Sequence, residues 1–146
     1  IATVEWLKAR RPEIAIGADL IAGFPTEDEA MAANSLALID ECDIIFAHIF
    51  PYSSRVGTPA ARMPQVPPAI VKERARRLRA ASDARRMRWL KALIGTRQSV
   101  LVERDDGFGH AASFAPARVD NAPAPGTIVD VTIRSIEGGT AIGEAG

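Results

Sequence analysis

The chain has 146 residues, 47% of them hydrophobic, and its 18 basic and 18 acidic side chains leave no net charge. That length suits one ordinary domain or two small ones, with enough apolar content for a core. A single cysteine, Cys42, excludes a disulfide framework within the chain, no apolar run is long enough to span a membrane, and no signal peptide is read, so the cytoplasm is the expected location.

The sequence opens at Ile1 inside what reads as a helix, which predicts the carboxyl-terminal piece of a longer protein. Ile1–Arg11 is the end of that helix, stopped by Pro12. Ile14–Phe24 is an apolar run interrupted by Gly17 and Asp19, as expected of a strand buried on both faces in a barrel wall. Gly23-Phe24-Pro25 breaks it. Thr26, followed by Glu27, Asp28 and Glu29, predicts a helix start with a capping hydroxyl and carboxylates in the first turn, running to about Glu41. Ile44–Phe50 is the second strand, and Pro51–Val66, with Pro51, Gly57, Pro59 and Pro64, is a loop. Strand, helix-length segment and strand in this order predict a parallel pair with functional loops at the carboxyl ends.

Pro67-Pro68 opens a long helix, about Ala69–Leu93, with Gly95 as its stop. Beyond it the pattern changes. Gln98–Arg104, Ala111–Val119 and Thr127–Ile136 read as strands, separated by Asp105-Asp106-Gly107 and followed by the turn signal Glu137-Gly138-Gly139. Three or four short strands at this spacing predict a small barrel of the oligonucleotide-binding sort. The predicted class is therefore α/β followed by all-β. Residues 1–66 form the α/β part, residues 67–94 a linker helix and residues 95–146 the barrel.

Charge is unevenly placed. Residues before Pro67 include five basic and nine acidic side chains, Pro67–Ile94 nine basic and two acidic, and the rest four basic and seven acidic. The helix is either a solvated face or an electrostatic contact to a nucleic-acid backbone. The turn at Gly23 brings backbone N–H groups toward a helix start, where an anion or the polar edge of a cofactor can sit; an ordinary strand-to-helix turn reads the same way. Tyr52, Ser53, Arg55, Gly57 and Thr58 follow a buried strand, where barrel sites lie. Arg55 suits a carboxylate or phosphate, and Tyr52 a base or sugar. His48 reads as a barrel residue, Cys42 as a structural thiol and His110 as a surface residue. Phe114 and Arg118 fall on one predicted strand, an aromatic–arginine pairing suited to single-stranded RNA, although Phe114 fits a core position equally well.

Two segments carry a resemblance. Asp19–Glu29 (D-L-I-A-G-F-P-T-E-D-E) resembles a strand-end segment of the radical S-adenosylmethionine (SAM) methylthiotransferases, and Phe50–Ala61 (F-P-Y-S-S-R-V-G-T-P-A-A) resembles their next strand end. Gln65-Val66 and the Arg/Leu-rich helix resemble the family's linker, and residues from Gln98 on its TRAM domain, a small RNA-binding barrel. The resemblance implies the last strands and helices of a partial (β/α) radical SAM barrel, a linker helix and a TRAM/OB-like β-barrel. Of three sister groups, acting on threonylcarbamoyladenosine beside the tRNA anticodon, on isopentenyladenosine there, or on a ribosomal-protein aspartate, the first is most similar at His48–Ser53 and Pro59–Pro64. Thr26 and Val56 depart from the family's glycine and proline, and the cluster-binding C-x-x-x-C-x-x-C is absent.

For a complete enzyme the resemblance implies SAM, two [4Fe–4S] clusters whose ligands this chain lacks, an electron donor for cluster reduction, and the tRNA anticodon stem-loop as partner. It places Gly23, Phe24 and Pro25 near SAM with Phe50 and Tyr52 across from them. Arg55 would hold substrate or cofactor, and Arg74, Arg77, Arg85, Arg97, Arg104, Phe114 and Arg118 would touch RNA. No catalytic residue and no metal ligand is expected in this chain, which alone is predicted inactive. A non-catalytic RNA-binding module is the reading from another class.

Overall fold

The computed structural model describes residues 1–145. The chain forms two compact units, Ile1–Arg86 and Met87–Gly146.

In the first unit, α1 (Ala2–Arg10) precedes β1 (Ile16–Ala22), α2 (Glu29–Glu41) and β2 (Ile44–Pro51). The two strands are parallel, as predicted, with Asp19 opposite His48 and Ile21 opposite Phe50. α3 (Pro68–Ala92) begins with a proline at its first helical position, where the missing N–H costs nothing. Its Ala75 and Leu78 pack with Ala22 of β1 and Ile39 of α2, beside Leu20, Leu36 and Ile49. The helices thus cover one face of the pair.

The other face corrects the expectation of a strand buried on both sides. β1 alternates, leaving Gly17, Asp19 and Ile21 exposed, and His48 and Phe50 of β2 are exposed with them. The apolar run reflects the strand's hydrophobicity, but two strands backed by helices on one side bury only alternate residues. The helix start also shifts. Asp28, not Thr26, is the N-cap: its Oδ1 accepts from the Met31 N–H at 2.8 Å. Thr26 has a positive φ of 69° and belongs to the turn.

The second unit is a closed barrel of β3 (Arg97–Val102), β4 (Phe108–Ala111), β5 (Pro116–Asp120), β6 (Ile128–Glu137) and β7 (Thr140–Ala145). Its strand order is β3-β4-β5-β7-β6, closed by the antiparallel β3–β6 pair, with β5 and β7 parallel. Val100, Val102, Val119, Val131 and Ile133 fill it with small alanines between, and Leu90 joins this core from the end of α3. The predicted strand Ala111–Val119 is two strands. The chain reverses at Ala112–Ala115, where the Ala111 carbonyl accepts from the Phe114 N–H at 2.8 Å and Phe114 has φ 62°. Phe114 is therefore a turn residue, not a strand residue. β7 lies outside the predicted strands: its sequence Thr140–Ala145 includes Gly143 and little β-branching, and its place depends on two neighbouring strands.

Candidate functional site

β1 and β2 end side by side, and the ladder is extended when the Tyr52 N–H donates to the Ala22 carbonyl at 2.8 Å. This brings the two strand-end segments together. A cleft of about 640 Å³ opens there, lined by Asp19, Ile21, Phe50, Tyr52, Arg55 and Thr58 among others. The Phe24 and Tyr52 rings meet edge to face with centroids 5.4 Å apart. The Tyr52 hydroxyl is buried and has no hydrogen-bond partner. Apolar rings with one carboxylate and one guanidinium suit a ligand with both apolar and polar parts. Phe50, Tyr52 and Arg55 thus line one cleft, with Phe24 against Tyr52. Pro25 is buried behind them. Asp19 and His48 face each other across the strands on the open side of the sheet.

Three N–H groups of the turn are engaged within the chain. The Gly23 N–H donates to both oxygens of the Glu27 carboxylate at 3.2 Å, the Thr26 N–H to the Pro64 carbonyl at 3.2 Å and the Glu27 N–H to the Phe24 carbonyl at 2.9 Å. An acidic side chain of the chain itself occupies the place an anion would take.

The basic helix is also engaged. Arg74 is only 7% exposed, and its Nη1 donates to the carboxylate and the carbonyl of Glu27, both at 2.8 Å. Arg77 makes a two-pronged pair with Glu29 at 2.5 and 3.1 Å. Arg85 pairs with Asp43. The acidic excess of the first segment and the basic excess of the helix thus meet within one unit. The Arg77 hydrogen bond holds the Glu29 carboxyl below its usual range, and the Arg76 hydrogen bond does the same for Glu73.

On the barrel, Arg97 lies 3.3 Å from Asp130, and Arg118 lies 3.8 Å from Asp106. Arg104 stacks over the Phe108 ring at 4.0 Å, and Phe108 meets His110 edge to face at 5.3 Å. His110 Nδ1 is 2.9 Å from Glu103 Oε1. Phe108 and His110 alternate along β4 at period two, the sequence signal by which they can be placed together. Phe114 is 74% exposed at its turn, outside this group.

Cys42 is buried, and no group of three or more histidine, cysteine or carboxylate side chains is arranged for a metal among the described residues. An iron–sulfur cluster, which needs several thiolates, does not fit this chain. No helix among the described residues is long and apolar enough to cross a membrane.

No family model matches the chain. Curated relatives do. The threonylcarbamoyladenosine tRNA methylthiotransferase MtaB of Rickettsia prowazekii is 44% identical over 133 residues, covering 91% of this chain and 31% of the relative. The tRNA-2-methylthio-N(6)-dimethylallyladenosine synthase of Novosphingobium aromaticivorans is 43% identical over 105 residues, covering 71% of this chain and 24% of the relative. A synthase of the same name from Mycobacterium marinum is 33% identical over 148 residues, 91% of this chain and 28% of the relative. The chain belongs to the radical SAM methylthiotransferase family. It spans about a third or less of the length of these relatives.

Proposed function

We propose that this chain is the carboxyl-terminal part of a cytoplasmic tRNA methylthiotransferase that modifies N6-threonylcarbamoyladenosine beside the anticodon. The observation that carries this reading is the alignment. Identity is 44% over 91% of the chain to the threonylcarbamoyladenosine enzyme, against 43% over 71% and 33% over 91% to the two dimethylallyladenosine enzymes. In this reading β1 and β2 are the last strands of a partial radical SAM barrel. Phe24, Phe50 and Tyr52 hold SAM with the Gly23–Pro25 turn behind them, and Arg55 meets a carboxylate or phosphate. The size of the cleft and its apolar rings support that fit. SAM, when bound, supplies the radical and the methyl group; the residues here orient it and exclude water. The cluster ligands and the contact to an electron donor lie elsewhere in the complete protein, so this chain alone is inactive.

The five-stranded barrel is read as a TRAM/OB-like module docking the anticodon stem-loop. Arg97, Arg104, Arg118 and Phe114 remain its proposed contacts, joined by Phe108 and His110. The experiment is nucleoside analysis of tRNA from cells lacking the gene. Loss of the methylthio group from threonylcarbamoyladenosine is expected. Loss from the dimethylallyl nucleoside instead assigns the sister substrate, and loss from neither overturns the reading.

A further inference from the structure

We propose that Arg74 is a positioning residue for the strand-end cleft, acting through Glu27; this rests on the reading of that cleft as the SAM site. The chain of contacts is continuous. Arg74 Nη1 grips the carboxylate and the carbonyl of Glu27 at 2.8 Å. The same carboxylate takes the Gly23 N–H with both oxygens. That fixes the turn carrying Phe24, whose ring sets the edge of Tyr52 in the cleft. Arg74 Nη2 also lies 3.6 Å from Glu29, at the first residue of α2.

The grip is directed at the turn and not at the core. α3 is held on the sheet independently by Ala75 and Leu78, which pack against Ala22 and Ile39. The Glu27 carboxylate is nearly buried beside the turn, and Arg74 is the cation that holds it there to accept from Gly23. Without Arg74, Glu27 would turn toward solvent and release the Gly23 amide. The loop then relaxes while the helix stays docked. Arg74 therefore serves as an internal counter-ion that shapes the cleft, a role distinct from the RNA contact its charge suggests.

The test uses the complete protein. SAM affinity is measured by calorimetry without reductant, and tRNA affinity and circular dichroism are measured in parallel for wild type, Arg74→Gln, Arg74→Lys and Glu27→Ala. Arg74→Gln is expected to raise the Kd for SAM about tenfold and leave the Kd for tRNA within about twofold. Arg74→Lys, which restores a cation near Glu27, should recover part of the affinity. If Arg74→Gln does not fold, Glu27→Ala carries the test, because it removes the acceptor for Gly23 and leaves the packing of α3 on the sheet in place. A folded Arg74→Gln or Glu27→Ala protein with wild-type SAM affinity overturns the proposal alone. A wild-type protein that does not bind SAM overturns the cleft assignment and this proposal together. A selective drop in tRNA affinity in Arg74→Gln also overturns it, in favour of an RNA contact.

Discussion

Val71 occupies the space a side chain at Gly23 would need. A Cβ built there would lie 2.6 Å from Val71 Cγ2, and Gly23 has φ 74°. Both facts demand glycine, and both arise inside the protein. A left-handed conformation costs an L-residue about 1–2 kcal/mol, and forcing a methyl group into a packed contact costs about 1–3 kcal/mol more. Gly23→Ala is therefore expected to lower unfolding stability without any ligand present, as measured by urea titration. The same titration on Gly23→Ala with Val71→Ala should recover the packing part and leave the backbone part. An unchanged midpoint for Gly23→Ala would show that the turn adapts freely.

The Tyr52 hydroxyl gives an effect of opposite sign. A buried donor without a partner costs about 1–3 kcal/mol. Tyr52→Phe removes that cost and keeps the ring contact with Phe24. The unliganded variant should be as stable as wild type or more so, as read by the midpoint of urea unfolding. Lower stability in the unliganded variant would mean that the hydroxyl is already satisfied.

Acid should unlock the α2–α3 pairs. The Glu29 carboxyl is held below its ordinary value of 4.5, first by the hydrogen bond from Arg77. A carboxylate with a depressed folded pKa contributes stability that is fully present above its unfolded pKa. That stability disappears as pH falls below about 4.5 and through the lowered folded value. Glu29→Gln should thus melt below wild type at neutral pH, and the two curves should converge in strong acid. Because the pair is exposed, high salt should also shrink the difference. A gap that persists at low pH and high salt would point to packing and not charge.

Much of this was legible in the chain. Strand periodicity, the Pro68 helix start and the Gly/Asp turn signals located β1, β2, α3, β3 and β6, because each depends on local preference. What was not legible depends on partners distant in sequence. Thr26 and Asp28 are both good caps, and only the turn's link to Pro64 decides between them. The arginines of α3 read as a free positive face because nothing local reveals that Glu27, Glu29 and Asp43 lie opposite. The exposure of Phe114 follows from a reversal at Ser113, a position whose sequence is compatible with a continuing strand. The cleft residues were legible as two motifs, but that they share one cleft is a consequence of parallel pairing.

RNA binding should now divide the basic residues into two groups. Arg77 and Arg85 are tied to Glu29 and Asp43. Lys72 and Lys91 are exposed. Neutralising a phosphate releases counterions, so the salt dependence of affinity reports how many phosphates the protein neutralises. The double variant Lys72→Gln, Lys91→Gln should reduce the salt slope of tRNA binding by roughly one unit for each phosphate that is no longer neutralised. Arg77→Gln and Arg85→Gln should leave the slope unchanged and lower the melting temperature instead. On the barrel, Phe114→Ala should lower affinity by about 1–3 kcal/mol with no change in slope or stability, as for a ring that stacks on a base. Phe108→Ala should lower affinity and also disturb Arg104, which rests on that ring. The measurement is tRNA affinity at several salt concentrations for each variant of the complete protein. If the arginine variants change the slope and the lysine pair does not, the ion pairs of α3 open on binding and the helix itself is the docking face.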